Sequence, residues 1–124
     1  MENQNEQFAI DVNSMDWEKK WSEFNQMHLH ERTLINDPDT GMMIRWITYP
    51  KGFLTRWHTH PCSHGMYVLS GKLKTNKGIY EPGTLVWFPE GVLAEHGCTE
   101  YEDVEVLFIT NKEFAIYFQD EGLV

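Results

Sequence analysis

From Asn36 onward, Gly and Pro recur so often that only short strands fit between them. Turns or breaks are read at 36–41, 50–52, 61–63, 70–71, 76–77, 81–83 and 89–91. Strand-like runs lie at 42–49, 53–60, 64–69, 72–75, 78–80, 84–88, 93–97, 104–110 and 114–118. Many short strands with almost no helix specify an all-β fold, a sandwich or a barrel.

The first thirty residues read differently. Residues 1–12 look like a loose leader or an edge segment. Trp17, Trp21 and Phe24 recur at helical spacing with charged residues between them, and Ser14 or Asp16 can serve as an N-cap just before them. The pattern predicts a short helix over 17–27 that lays an aromatic stripe on the body of the fold or at a subunit contact. A short irregular segment carrying two tryptophans is the alternative. The expected organisation is an N-terminal extension over 1–30 and a single domain over 31–124.

A chain of 124 residues supports one hydrophobic core. Its formal charge of −9 argues against nucleic-acid partners and anionic membrane surfaces, which need a basic footprint. The apolar runs at 84–88 and 106–109 are strand-sized, far short of a membrane span. Residues 1–7 are polar and show no secretory apolar segment. Cys62 and Cys98 do not make a disulfide framework. The expectation is a cytoplasmic, reduced protein with free thiols.

The chemistry concentrates between Gly52 and Gly71, where His58, His60 and His64 fall, with His96 further on. Imidazole is the commonest protein ligand for transition metals. Two residues apart on a strand, His58 and His60 share one face with Cα atoms about 6.6 Å apart, so their rings can converge on one ion. A helix would splay them.

These residues resemble the cupin superfamily. Its first motif is Gly, five residues, His-x-His, three or four residues, Glu, six residues, Gly. Gly52, His58, His60, His64 and Gly71 fit that frame, with His64 at the usual Glu position. Its second motif is Gly, five residues, Pro-x-Gly, then His, which Gly83, Pro89, Gly91 and His96 match. His96 comes four residues after Gly91 rather than the usual two, which keeps strand parity. Glu100 stands where Asn is usual. The chain looks most like the small three-histidine dioxygenases that cleave acetylacetone or dihydroxyacetophenone, and it also resembles the zinc-binding cupin domain of anti-sigma factors. The resemblance implies a double-stranded β-helix (a jelly roll) around a divalent metal, and a homodimer or homotetramer.

His58, His60 and His96 are thereby the expected metal ligands. His64 is a fourth ligand, a group that hydrogen-bonds substrate beside the metal, or a plain strand residue. Arg56 shares the interior face with His58 by strand alternation. It either anchors a substrate oxygen or forms an ion pair with Glu95 or Glu105. His28 and His30 repeat the His-x-His spacing without a glycine frame and are expected to be exposed or interfacial. Both cysteines are expected to be ordinary thiols.

An all-imidazole ligand set leaves a divalent ion its full charge, which favours an anionic chelating substrate. The expected function is Fe(II)- and O₂-dependent cleavage of a C–C bond in a diketone or hydroxyketone, with Zn or Ni as other metals the site can hold. The rivals are a non-catalytic zinc-binding sensor or binding module, and another cupin reaction such as isomerisation or flavonol oxygenation.

Overall fold

The computed structural model describes residues 6–119. Eleven strands come after a 3₁₀ turn at Val12–Ser14: β1 (Glu18–Ser22), β2 (Met27–Asn36), β3 (Met43–Tyr49), β4 (His58–Thr59), β5 (His64–Ser70), β6 (Leu73–Thr75), β7 (Gly78–Tyr80), β8 (Leu85–Phe88), β9 (His96–Cys98), β10 (Val104–Thr110) and β11 (Tyr117–Phe118). All pairings are antiparallel. A six-stranded sheet runs β1-β2-β3-β10-β5-β8, and smaller sheets run β7-β6-β9 and β11-β4.

Alternation explains the core. On β10, Val104, Val106, Phe108 and Thr110 are buried while the residues between them are half-buried. Met66 and Val68 of β5, Ile47 and Tyr49 of β3, Leu73 of β6 and Phe88 of β8 meet them in one cluster. Gly71 has φ +73°, and a Cβ there would collide with the Asp103 carbonyl, so only glycine suits the turn from β5 into β6.

The predicted helix over 17–27 does not form. Residues 18–22 are strand β1, which joins β2 in a hairpin registering Trp21 with His28 and Lys19 with His30. The turn carries no Gly or Pro. It closes instead through Ser22, whose carbonyl accepts from Gln26 N at 2.8 Å and whose Oγ accepts from Asn25 N, with Gln26 at φ +55°. An isolated helix of this length is marginal in water, whereas the unpaired edge of β2 offers a full ladder of hydrogen bonds. Strand β2 also runs straight through residue 30, where the sequence reading divides an extension from the domain.

The run at 53–60 is another difference. Only His58–Thr59 is strand; Leu54 makes an isolated bridge to Gly97, and His58 makes one to Ala94 besides its pairing with β11. Among the described residues, no helix is long and apolar enough to cross a membrane.

Candidate metal centre

Backbone pairing brings the two histidine segments together. His58 and Ala94 exchange N–H···O bonds of 3.0 Å in both directions, Gly91 N donates to His60 O, and Thr55 N donates to His96 O at 2.9 Å. The Thr55 hydroxyl accepts from His96 N at 3.0 Å. At Gly97 any Cβ would run into the Phe53 carbonyl, so glycine permits the close approach that sets His96 beside His58.

His58, His60 and His96 are buried, and each offers a ring nitrogen such that the three atoms lie within 4.8 Å of one another. The His58 and His60 ring centroids are 4.7 Å apart, and those of His58 and His96 are 5.0 Å apart. His58 Nδ1 lies 2.6 Å from the Arg56 carbonyl oxygen, and His60 Nδ1 lies 2.6 Å from that of Ala115. A carbonyl only accepts, so Nδ1–H donates and Nε2 keeps its lone pair. Such bonds fix the tautomer and ring orientation that metal ligation needs.

Electrostatics agree. Burial lowers the pKa of His58, partly opposed by its bond to the Arg56 carbonyl. Burial brings His60 down to about 4, against the raising effect of the Ala115 carbonyl. His96 is pushed well below 6.5 by burial and then by His58, His64 and His60. All three rings are therefore neutral near pH 7, the state that binds a metal. His60 Nε2 and both ring nitrogens of His96 are buried without a hydrogen-bond partner. Buried polar groups are nearly always paired, and a cation shared by the three rings would supply a partner for one nitrogen of each. The residues present fit a divalent metal.

His64 sits beside this group rather than in it. Its ring centroid is 4.7 Å from that of His60 but 6.2 Å from that of His96. It stacks on Phe88 at 4.5 Å with an interplanar angle of 11°, and both its nitrogens lack partners. Burial, then His60 and His58, lower its pKa to about 3. The three-histidine group that can share an ion is thus His58, His60 and His96, while His64 lies next to His60 and faces Phe88, its cross-strand partner on β8.

A cavity of about 370 Å³ opens from the three histidines. Phe108, Phe114, Phe118 and Ile47 wall it, and residues 21–25 of the β1–β2 hairpin stand at its edge. Arg56 lines it too, with its guanidinium 4.1 Å over the Phe118 ring. Glu105, one of the two acids expected to pair with Arg56, accepts instead from Trp46 Nε1 and Ser70 Oγ. Both cysteines are free and buried, and Cys98 Sγ donates to the Pro50 carbonyl at 2.6 Å. Burial raises the pKa of each thiol. Sequence reasoning missed Glu31, Arg45 and Tyr49 on the cavity wall. Reading 27–36 as a strand would have found Glu31, which shares a face with Leu29.

Residues 5–115 match the family model of the ChrR cupin-like domain, Cupin_7. The chain belongs to this cupin family. Its fold is the cupin jelly roll, as the histidine and glycine frames imply. No curated protein matches the chain. Among solved structures, a candidate acetylacetone dioxygenase from Methylibium petroleiphilum PM1 is 12% identical, with a TM-score of 0.80 over 97% of this chain and 87% of that one. An RmlC-like cupin protein from Ralstonia eutropha JMP134 is 16% identical, with a TM-score of 0.77 over 93% and 74%. The polyketide cyclase RemF from Streptomyces resistomycificus is 16% identical, with a TM-score of 0.73 over 92% and 86%. At these identities the likeness shows the cupin fold alone, and the cupins that share it include enzymes.

Proposed function

We propose that this cupin is a metal-dependent dioxygenase acting on a small diketone or hydroxyketone. The observation that carries the reading is a buried, carboxylate-free group of three neutral histidines lining an aromatic cavity. A bound Fe(II) would supply Lewis-acid polarisation of two substrate oxygens and the redox chemistry of O₂. His58, His60 and His96 would hold the ion, and the Arg56 and Ala115 carbonyls keep the first two rings aimed. Neutral ligands contribute no negative charge, so an anionic chelator such as an enolate complements the site. Phe108, Phe114 and Phe118 exclude water and present flat apolar walls to the substrate. Arg56 supplies positive charge at the cavity wall for a substrate oxygen. His64, next to His60, supports the group from behind the cavity wall, packed between Phe88 and Phe108.

The same reading makes the chain cytoplasmic, consistent with two buried free thiols, and a homodimer or homotetramer. The test is metal analysis of protein purified without a histidine tag, then O₂ uptake after Fe(II) reconstitution. Uptake with a β-diketone is the expected result. Full iron occupancy with no uptake across a diketone and hydroxyketone panel overturns it. The match to the ChrR cupin-like model favours a second reading, a zinc-holding binding or sensing module. That reading expects zinc as the purified metal and no O₂ consumption.

A further inference from the structure

The six-stranded sheet departs from the usual pattern of an antiparallel sheet, in which one face is apolar and the other polar. Its inner face builds the core. On its outer face, backbone register sets Trp46, Leu107, Tyr67 and Leu85 side by side across β3, β10, β5 and β8. The next row continues with Ile109 and Trp87, on either side of Gly65. Trp87 and Leu85 lean over this glycine, since a Cβ on it would meet them at 3.1 and 3.2 Å. Trp87 is 53% exposed, Leu85 57% and Tyr67 38%. The two edges of the sheet differ as well. β1 carries Glu18, Lys19 and Lys20, the kind of charge that keeps an edge strand from pairing, whereas β8 at the other edge reads Leu-Val-Trp-Phe.

The segment ahead of β1 covers the β3 side of this face. Trp17 packs edge-on to Trp46 at 6.5 Å, under the Arg32 guanidinium at 3.9 Å, and Arg32 Nε donates to the Met15 carbonyl. Further back, residues 6–10 make no backbone hydrogen bond with any described residue, and Phe8 and Ile10 are exposed.

We propose that the outer face at β10, β5 and β8 is an isologous interface with a second copy of this chain. This rests on the oligomer expected above and names its contact surface. Charge favours a second copy. Each chain carries −9, so two copies repel wherever their acidic surfaces meet. The two rows hold no charged side chain between β3 and β8. Area agrees. Trp87, Leu85 and Tyr67 leave about 300 Å² uncovered, and the half-buried members of the rows with Phe8 and Ile10 bring the patch to about 600 Å². That is the top of what a monomer normally exposes, and it approaches the ~800 Å² per partner of a stable interface. A two-fold axis makes every contact twice, which suits an uncharged patch meeting itself.

The test is sedimentation of the full chain with its metal, from about 1 to about 100 μM. Wild type is expected to be a dimer, or a tetramer built on that dimer. Trp87→Glu puts two carboxylates into the contact, one from each copy, and should weaken it at least about 30-fold. Leu85→Lys should do the same, and it carries the test where Trp87→Glu does not fold. Ile79→Glu is the control. Ile79 is 54% exposed on β7 of another sheet, and this change should leave the assembly intact. Circular dichroism and metal stoichiometry should match wild type in all three. A wild type that stays monomeric overturns both the interface and the oligomer expected above. An assembly that survives both β8 substitutions, or that Ile79→Glu dissolves equally well, overturns the interface and leaves the oligomer standing. Neither result touches the dioxygenase reading, which O₂ uptake tests separately.

Discussion

His28 and His30 of β2 have the same i, i+2 spacing as His58 and His60, so each pair presents its rings to one side of its strand. The faces differ. Leu29 and Glu31 line the cavity, so alternation turns His28 and His30 away from it. His28 is exposed and meets the edge of Trp21 at 4.9 Å, and His30 is half-buried against Trp17 at 6.5 Å. His58 and His60 point inward, take carbonyl partners on Nδ1, and meet His96 from another strand. Spacing puts two rings on one face, but parity chooses the face, and topology supplies the third ligand.

The sharpest break of this comparison is metal content. His58→Ala and His96→Ala should each lower metal affinity by more than about 100-fold, above the range seen when a ligand's supporting bonds are cut. His28→Ala should leave stoichiometry unchanged. Metal analysis after dialysis reads all three, and equal losses would remove the distinction between the pairs.

That distinction was legible because glycines frame one pair and not the other. The strand at 104–110 was legible residue for residue, since its inward positions alternate cleanly. Less legible was the part that depends on pairing between distant segments. Trp17, Trp21 and Phe24 satisfy helical spacing, yet β2 claims residues 18–22 as its edge partner. The direction of His64 follows the register of β5, which pairs it with Phe88 and Thr110, and that pairing across distant segments is not written in local spacing. The carbonyls of Arg56 and Ala115 orient two ligands without any side-chain signature at all.

The next largest effect should come from the contact that delivers His96. Gly97→Ala places a methyl against the Phe53 carbonyl. Backbone on both sides must shift, at a cost of about 2–3 kcal/mol, and His96 moves away from His58. Denaturant unfolding and metal titration should both register the loss. The His28–His30 pair has no such dependence, so a stable Gly97→Ala protein with wild-type metal affinity would undo the account of how the third ligand arrives.

His64 tests the boundary of the site. Its ring lies between Phe88 and Phe108, with both nitrogens unpaired. His64→Phe should keep the metal and stabilise the metal-free protein by about 1 kcal/mol, because two unmet polar atoms are removed from an aromatic stack. Loss of metal in this variant would enlarge the ligand group to four.

The smallest effect belongs to the outer pair. Opposite Trp21 on the neighbouring strand, His28 forms a cross-strand aromatic contact. Such pairs contribute about 0.2–1 kcal/mol relative to alanine, and an exposed edge hairpin falls at the lower part of that range. His28→Ala should therefore cost about 0.5 kcal/mol in chemical denaturation. Trp21→Ala should cost a similar amount, and the double variant should cost less than the sum of the two, since the same contact is lost in each. Strict additivity would mean that the two rings do not interact. The outer histidines would then need another role, and packing between β1 and β2 would no longer account for them.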